Sequence, residues 1–143
     1  MKIFTSYYGS KTLDRNRHFL VQVSNSAPKG FEPDVKWEEV VPDWDTLVKP
    51  SKDGEITEFT YRTRYNTQLQ SSAFSIVLAF ESIAKQAAGK DIVLLCYEKP
   101  DDFCHRHVLA EWIKGWKTSF LSMVPEVELN TIDELGTGQL TLF

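Results

Sequence analysis

Five side chains able to do chemistry fall within one short segment: Cys96, Glu98, Cys104, His105 and Arg106. Cys96 and Glu98 stand two apart at the end of an apolar run. On a strand they share a face, while Tyr97 points away. Cys104, His105 and Arg106 follow Lys99-Pro100-Asp101-Asp102-Phe103 and fall in the first turn of a helix. The unpaired backbone N–H groups of such a turn favour negative charge. A thiol placed there ionises more easily than a free cysteine. An arginine beside it completes an anion site suited to phosphate or carboxylate. As an enzyme, the segment would use Glu98 as general acid or base and Cys104 as nucleophile. Arg106 would hold a phosphate, and His105 would move a proton or orient the substrate. Unchanged activity in a Glu98→Gln, Cys104→Ser double variant would remove that scheme.

Two other chemistries compete. Cys96, Glu98, Cys104 and a histidine make an acceptable zinc set. Cys104 and His105 are adjacent and diverge, whereas Cys104 and His107, three apart, share a helix face. The metal candidates are therefore Cys96, Cys104 and His107. A Cys96–Cys104 disulfide acting as a redox switch is the third reading. Bland readings stand beside all three: Cys96 as a small buried hydrophobe, Glu98 as a solvated charge, His105 and Arg106 as an exposed helix start. The order of preference is anion or nucleotide pocket, then metal, then redox.

The elements that must position this segment follow from apolar spacing. Ile3 to Tyr8 and Phe19 to Ser24 read as strands. The stretch 28–54, with prolines at 28, 33, 42 and 50, also carries Trp37 and Trp44. It reads as an ordered irregular connection with one helical turn. From Asn66, the residues Leu69, Ala73, Ile76, Val77, Phe80, Ile83, Ala84 and Ala87 keep helical spacing, and Gly89 stands where a C-terminal cap belongs. Asp91 to Tyr97 is the continuous apolar run of a buried central strand. The next helix opens at Pro100, capped by Asp101 or Asp102, with Val108, Leu109, Trp112, Ile113 and Trp116 on its apolar face. Val124 to Leu129 reads as a last short strand. The order predicts one layered α/β domain over residues 1–135, its sheet mixed or mainly parallel and flanked by helices. Ligands in such sheets sit beyond the carboxyl ends of the strands, where the Cys96–Arg106 segment lies.

Cys-x-Glu at a strand end, followed by Cys-His-Arg opening a helix, resembles the family known as domain of unknown function 488. Phe4-Thr5-Ser6-Tyr7, Ser24 and Pro28 after the second strand, and Tyr61 to Leu69 resemble that family's pattern too. The resemblance covers most of the chain to about Trp116. It implies an α/β fold and a pocket built from these segments, with Tyr7, Ser24, Tyr65 and Cys96 beside the catalytic candidates. It implies no particular reaction. Tyr7, Tyr8 and Tyr65 would be available to stack on a base or sugar, although aromatic residues near strand ends are usually core.

The last residues carry a separate signal. After Gly136-Thr137-Gly138 comes Gln139-Leu140-Thr141-Leu142-Phe143. A flexible tail over 136–143 would expose three large apolar groups unless something covers them. The sequence resembles the peptide by which bacterial polymerases and repair proteins dock on the sliding clamp. That resemblance implies a hydrogen bond from Gln139 and apolar anchors at Leu140, Leu142 and Phe143, with Thr141 a mild departure. The alternative is that Leu140 to Phe143 folds back as a closing edge strand.

Composition limits the rest. The 143 residues are 42% hydrophobic, enough to bury a core, and no apolar run approaches the length of a membrane span. The chain is expected to be soluble, unexported and cytoplasmic. A net charge of −4 and a pI near 5.4 argue against coating duplex DNA by charge alone. The two signals join in one expectation. A bacterial or phage DNA-metabolism protein would hold a nucleotide, phosphate or DNA feature, enzyme or not, and be brought to DNA by the clamp. The other reading is a non-catalytic clamp-binding adaptor or inhibitor with a structural or zinc-binding Cys/His site. A third is a small-molecule enzyme whose tail is only structural.

Overall fold

The computed structural model describes residues 2–97, 105–115, 128–132 and 140–142, the last two segments as backbone strands. Strands β1 (Lys2–Tyr7), β2 (His18–Gln22), β3 (Val35–Lys36), β4 (Asp91–Cys96), β5 (Glu128–Ile132) and β6 (Leu140–Leu142) form one sheet in the order β3-β2-β4-β1-β5-β6. The pairings of β1 with β4 and β5, and of β2 with β3 and β4, are parallel; β6 on β5 is antiparallel. The expected α/β domain with a mixed, mainly parallel sheet is what the chain forms. No helix among the described residues is long and apolar enough to cross a membrane.

Side-chain parity divides the core. Ile3, Val21, Val23, Ile92, Leu94 and Cys96 face the helices, and Phe4, Leu20, Val93 and Leu95 face the other way. Strand β4 is apolar on both faces because both faces are covered, so its sequence shows no alternation. On the second face, the cover comes from Leu13, Ala27 and Phe31. These belong to the connections around β2, so the described helices gather on one side.

Helix α2 (Glu58–Ser71) buries Tyr61, Tyr65 and Leu69, and α3 (Ala73–Ala87) buries Ile76, Val77, Phe80 and Ile83. The single helix expected from Asn66 is thus two helices meeting at Ser72, and it begins earlier. Thr57 caps α2 by accepting from the Thr60 N–H at 3.1 Å. The α3 terminus differs slightly from expectation: Ala88 takes the left-handed position at φ 51°, with Gly89 following at φ 90°.

Between β3 and α2 the proline-rich stretch is ordered. It holds a 3-10 turn at Glu38–Val40, a π-helical turn at Trp44–Val48 and the short helix α1 (Lys49–Lys52). Trp37 and Leu47 anchor it in the core. Helix α4 (His105–Lys114) packs on α2 and on the sheet, burying Val108, Leu109 and Ile113. The expected cap at Asp101 or Asp102, and Trp116, lie outside the described residues.

The strand expected at 124–129 is described as β5 at Glu128–Ile132, and residues 124–127 lie outside the described residues. The expected flexible tail differs at Leu140–Leu142, which lies along β5 with Thr141 opposite Thr131. That is the edge-strand alternative of the sequence. Gln139 and Phe143 lie outside the described residues.

Candidate functional site

The carboxyl ends of β1, β2 and β4 come together. Tyr7 pairs with Cys96 and Gln22 with Leu95 in register. The Val23 N–H donates to Leu95 O and the Tyr8 N–H to Cys96 O, both at 3.1 Å. Beyond these ends lies a cleft of about 150 Å³. Its lining includes Ser24, His105, Tyr61, Tyr97, Trp44 and Lys52. This is where a parallel sheet is expected to present a ligand.

His105 opens α4 and reaches back across the sheet. The Val23 carbonyl accepts from its Nε2–H at 2.7 Å, which fixes the neutral tautomer. The ring meets Tyr65 edge-on at 5.8 Å between centroids. Burial is the largest influence on its acidity and lowers its pKa to about 4; the neighbouring Arg106 and His107 act in the same direction, against the hydrogen bond to Val23. His105 is therefore neutral at pH 7 and brings no positive charge to the cleft.

Ser24 is locked by its neighbours. Its hydroxyl donates to the Ser26 carbonyl at 2.6 Å, so the hydrogen bond it shares with Tyr8 at 2.6 Å has the Tyr8 O–H as donor. Burial pushes the Tyr8 pKa up to about 12, keeping that proton in place. Tyr97 stacks edge-on against Tyr8 at 5.2 Å, and its hydroxyl lies 3.2 Å from Ser26 Oγ.

Of the residues singled out in the sequence, Ser24 and His105 line this cleft. Tyr65 stands behind it, fully buried, its hydroxyl donating to Val40 O, its pKa raised by that burial. Tyr7 is partly buried and shares the helix-side parity of Ile3, so it is not a cleft wall. Cys96 and Arg106 are fully buried on that same side, with Arg106 Nη1 donating to Cys96 Sγ at 2.8 Å. Arg106 thus underlies the site and is not in its lining, contrary to a direct grip on phosphate. Successive residues of a helix point about 100° apart, so His105 and Arg106 diverge.

Cys96 is disulfide-bonded. A sulfur so held offers no thiolate, so the zinc set of Cys96, Cys104 and His107 needs the reduced form. Among the described residues no three His, Cys, Asp or Glu side chains converge as a metal site. Glu98 and Cys104 lie outside the described residues.

Sequence reading missed Asn25, Ser26, Trp44, Lys52, Tyr61 and Tyr97. The available signal was the pair of tryptophans in a proline-rich connection, which an unstructured linker would not carry. Lys52 is the one full charge among the described lining residues, its ammonium 5.3 Å over the Trp44 ring. No carboxylate is among them.

No curated protein and no solved structure matches this chain. A family model does: residues 3–117, from β1 through α4, match the one described as the active DUF488-N3 subclade, and the chain belongs to that family.

Proposed function

We propose that the cleft holds a small anionic ligand, a nucleotide, a phosphate or a phosphate-bearing DNA feature. The carrying observation is its charge: one lysine, a neutral histidine, hydroxyls, and no described carboxylate, at the carboxyl ends of parallel strands. In an acidic protein, a cleft whose described lining carries a lysine and no acid favours an anion. The family match spans the elements around this site and supplies no reaction. Glu98, next in the chain to the cleft's Tyr97, is the candidate for acid or base chemistry on the bound ligand, and Cys104, next to His105, would act as nucleophile only with the disulfide at Cys96 reduced.

Calorimetry with pyrophosphate tests the reading. Wild-type protein is expected to bind it, and Lys52→Glu, an exposed substitution, is expected to lose binding without losing stability. Equal affinity in both proteins would refute the reading.

The second half of the proposal is recruitment to the bacterial sliding clamp through Gln139-Leu140-Thr141-Leu142-Phe143, with DNA metabolism as the setting. Its support is the motif alone, which lies beyond the residues matched by the family. Because Leu140–Leu142 pairs with β5, docking would require that edge strand to leave the sheet.

A further inference from the structure

Trp44, Val48, Ser51 and Lys52 all line the cleft, and their spacing places them along one side of the helical segment 44–52. Their segment is fixed from behind. Asp43 Oδ2 accepts from the Thr46 N–H at 2.9 Å and its hydroxyl at 2.8 Å. The Asp43 N–H donates to Gln68 Oε1 at 2.9 Å, and Arg64 Nη1 donates to Thr46 O at 3.1 Å. Leu47 is buried beneath. Trp44 is nevertheless 45% exposed, so a large ring is held facing solvent by a braced wall. A π-helical turn is uncommon and recurs at functional sites.

We infer that this wall recognises a nucleoside monophosphate unit, free or as an unpaired residue of a strand. The ring lies against Trp44 and the phosphate meets Lys52. The inference rests on the anion-pocket reading and narrows it.

Three observations set the class. The first is aromatic surface: Trp44 and Tyr97 are both near half exposed and line the same cleft, offering the faces on which bases stack. The second is charge: a single ammonium, already poised over the Trp44 ring, suits one phosphate better than a triphosphate. The third is size: a cleft near 150 Å³ has room for one planar base and not for a stack of them. Asn25 adds an edge contact. Its Nδ2 donates to Pro42 O at 3.2 Å, which leaves Oδ1 to accept from a ring N–H or exocyclic amine.

Calorimetry on the full chain tests this with uridine and cytidine monophosphates, uridine, adenosine monophosphate, inorganic phosphate and a short single-stranded oligopyrimidine. A nucleoside monophosphate, or the oligopyrimidine, is expected to bind about tenfold more tightly than phosphate or uridine. Whichever of the two binds more tightly identifies the source. Trp44→Ala should weaken both nucleotide and nucleoside, while Lys52→Ala should weaken the nucleotide only. Both residues are exposed, and an unchanged melting temperature confirms that each variant folds. Phosphate alone matching every nucleotide overturns the inference and leaves the anion pocket standing. No binding by phosphate, pyrophosphate or any nucleotide overturns both.

Discussion

His105 should make the fold acid-sensitive in a window that its geometry defines. Free histidine titrates at 6.5, and burial lowers the folded value to about 4. Between those values, protons bind the unfolded chain and not the folded one. Stability is therefore fully present above pH 6.5 and falls as pH drops toward 4. At pH 5 the loss is 1.5 units at 1.36 kcal/mol each, about 2 kcal/mol; below pH 4 it approaches about 3 kcal/mol. The assay is urea unfolding at pH 7.5 and pH 5 for wild type and His105→Gln, which keeps an N–H for Val23 O but does not titrate. The pH 7.5-to-5 drop should be smaller in the variant by about 2 kcal/mol. His18 is also buried with a lowered pKa, largely through desolvation, and contributes in the same direction in both proteins, so it cancels in the difference. Parallel pH profiles would show that His105 is not held neutral, and its assignment as an uncharged cleft residue would fail.

Tyr65→Phe removes a buried hydroxyl that donates to Val40 O and should cost about 1–2 kcal/mol in urea unfolding, with pyrophosphate affinity unchanged because the ring against His105 remains. Ala88→Gly should raise stability by about 1 kcal/mol, read as a higher urea midpoint, since Ala88 occupies a left-handed conformation that glycine adopts without strain. Deleting residues 139–143 should abolish retention on immobilised sliding clamp; undiminished retention would end the recruitment proposal. The same deletion should leave the melting temperature nearly unchanged if the β6 pairing is weak, and a large drop would favour a structural tail.

Which parts of this were legible depended on whether burial leaves a pattern along the chain. Strands β1, β2 and β4 and helices α3 and α4 announce themselves by apolar spacing, because each buries a continuous stripe or both faces. The first turns of α2 do not. Its buried residues there are two tyrosines among polar neighbours, so the amphipathic signal begins only at Leu69. The 44–52 wall has no periodic signature because a π-helical turn joins a four-residue helix, and its position is set by contacts with α2. At the site, proximity in sequence does not fix direction, since one helix start sends neighbouring side chains to different partners: Val23 O for His105, Cys96 Sγ for Arg106. Tyr7 and Tyr65 illustrate the same limit. Residue type suggests stacking, while strand parity and helix packing decide whether a ring meets ligand or core.

A crystal structure of the full chain with cytidine monophosphate would test most directly whether the cleft is a binding site. The expected result is ligand density within reach of Trp44 and Lys52, with the phosphate beside the lysine ammonium and His105 still donating to Val23 O. Ligand bound elsewhere with this cleft empty, or none bound at concentrations that saturate the protein in calorimetry, would contradict it.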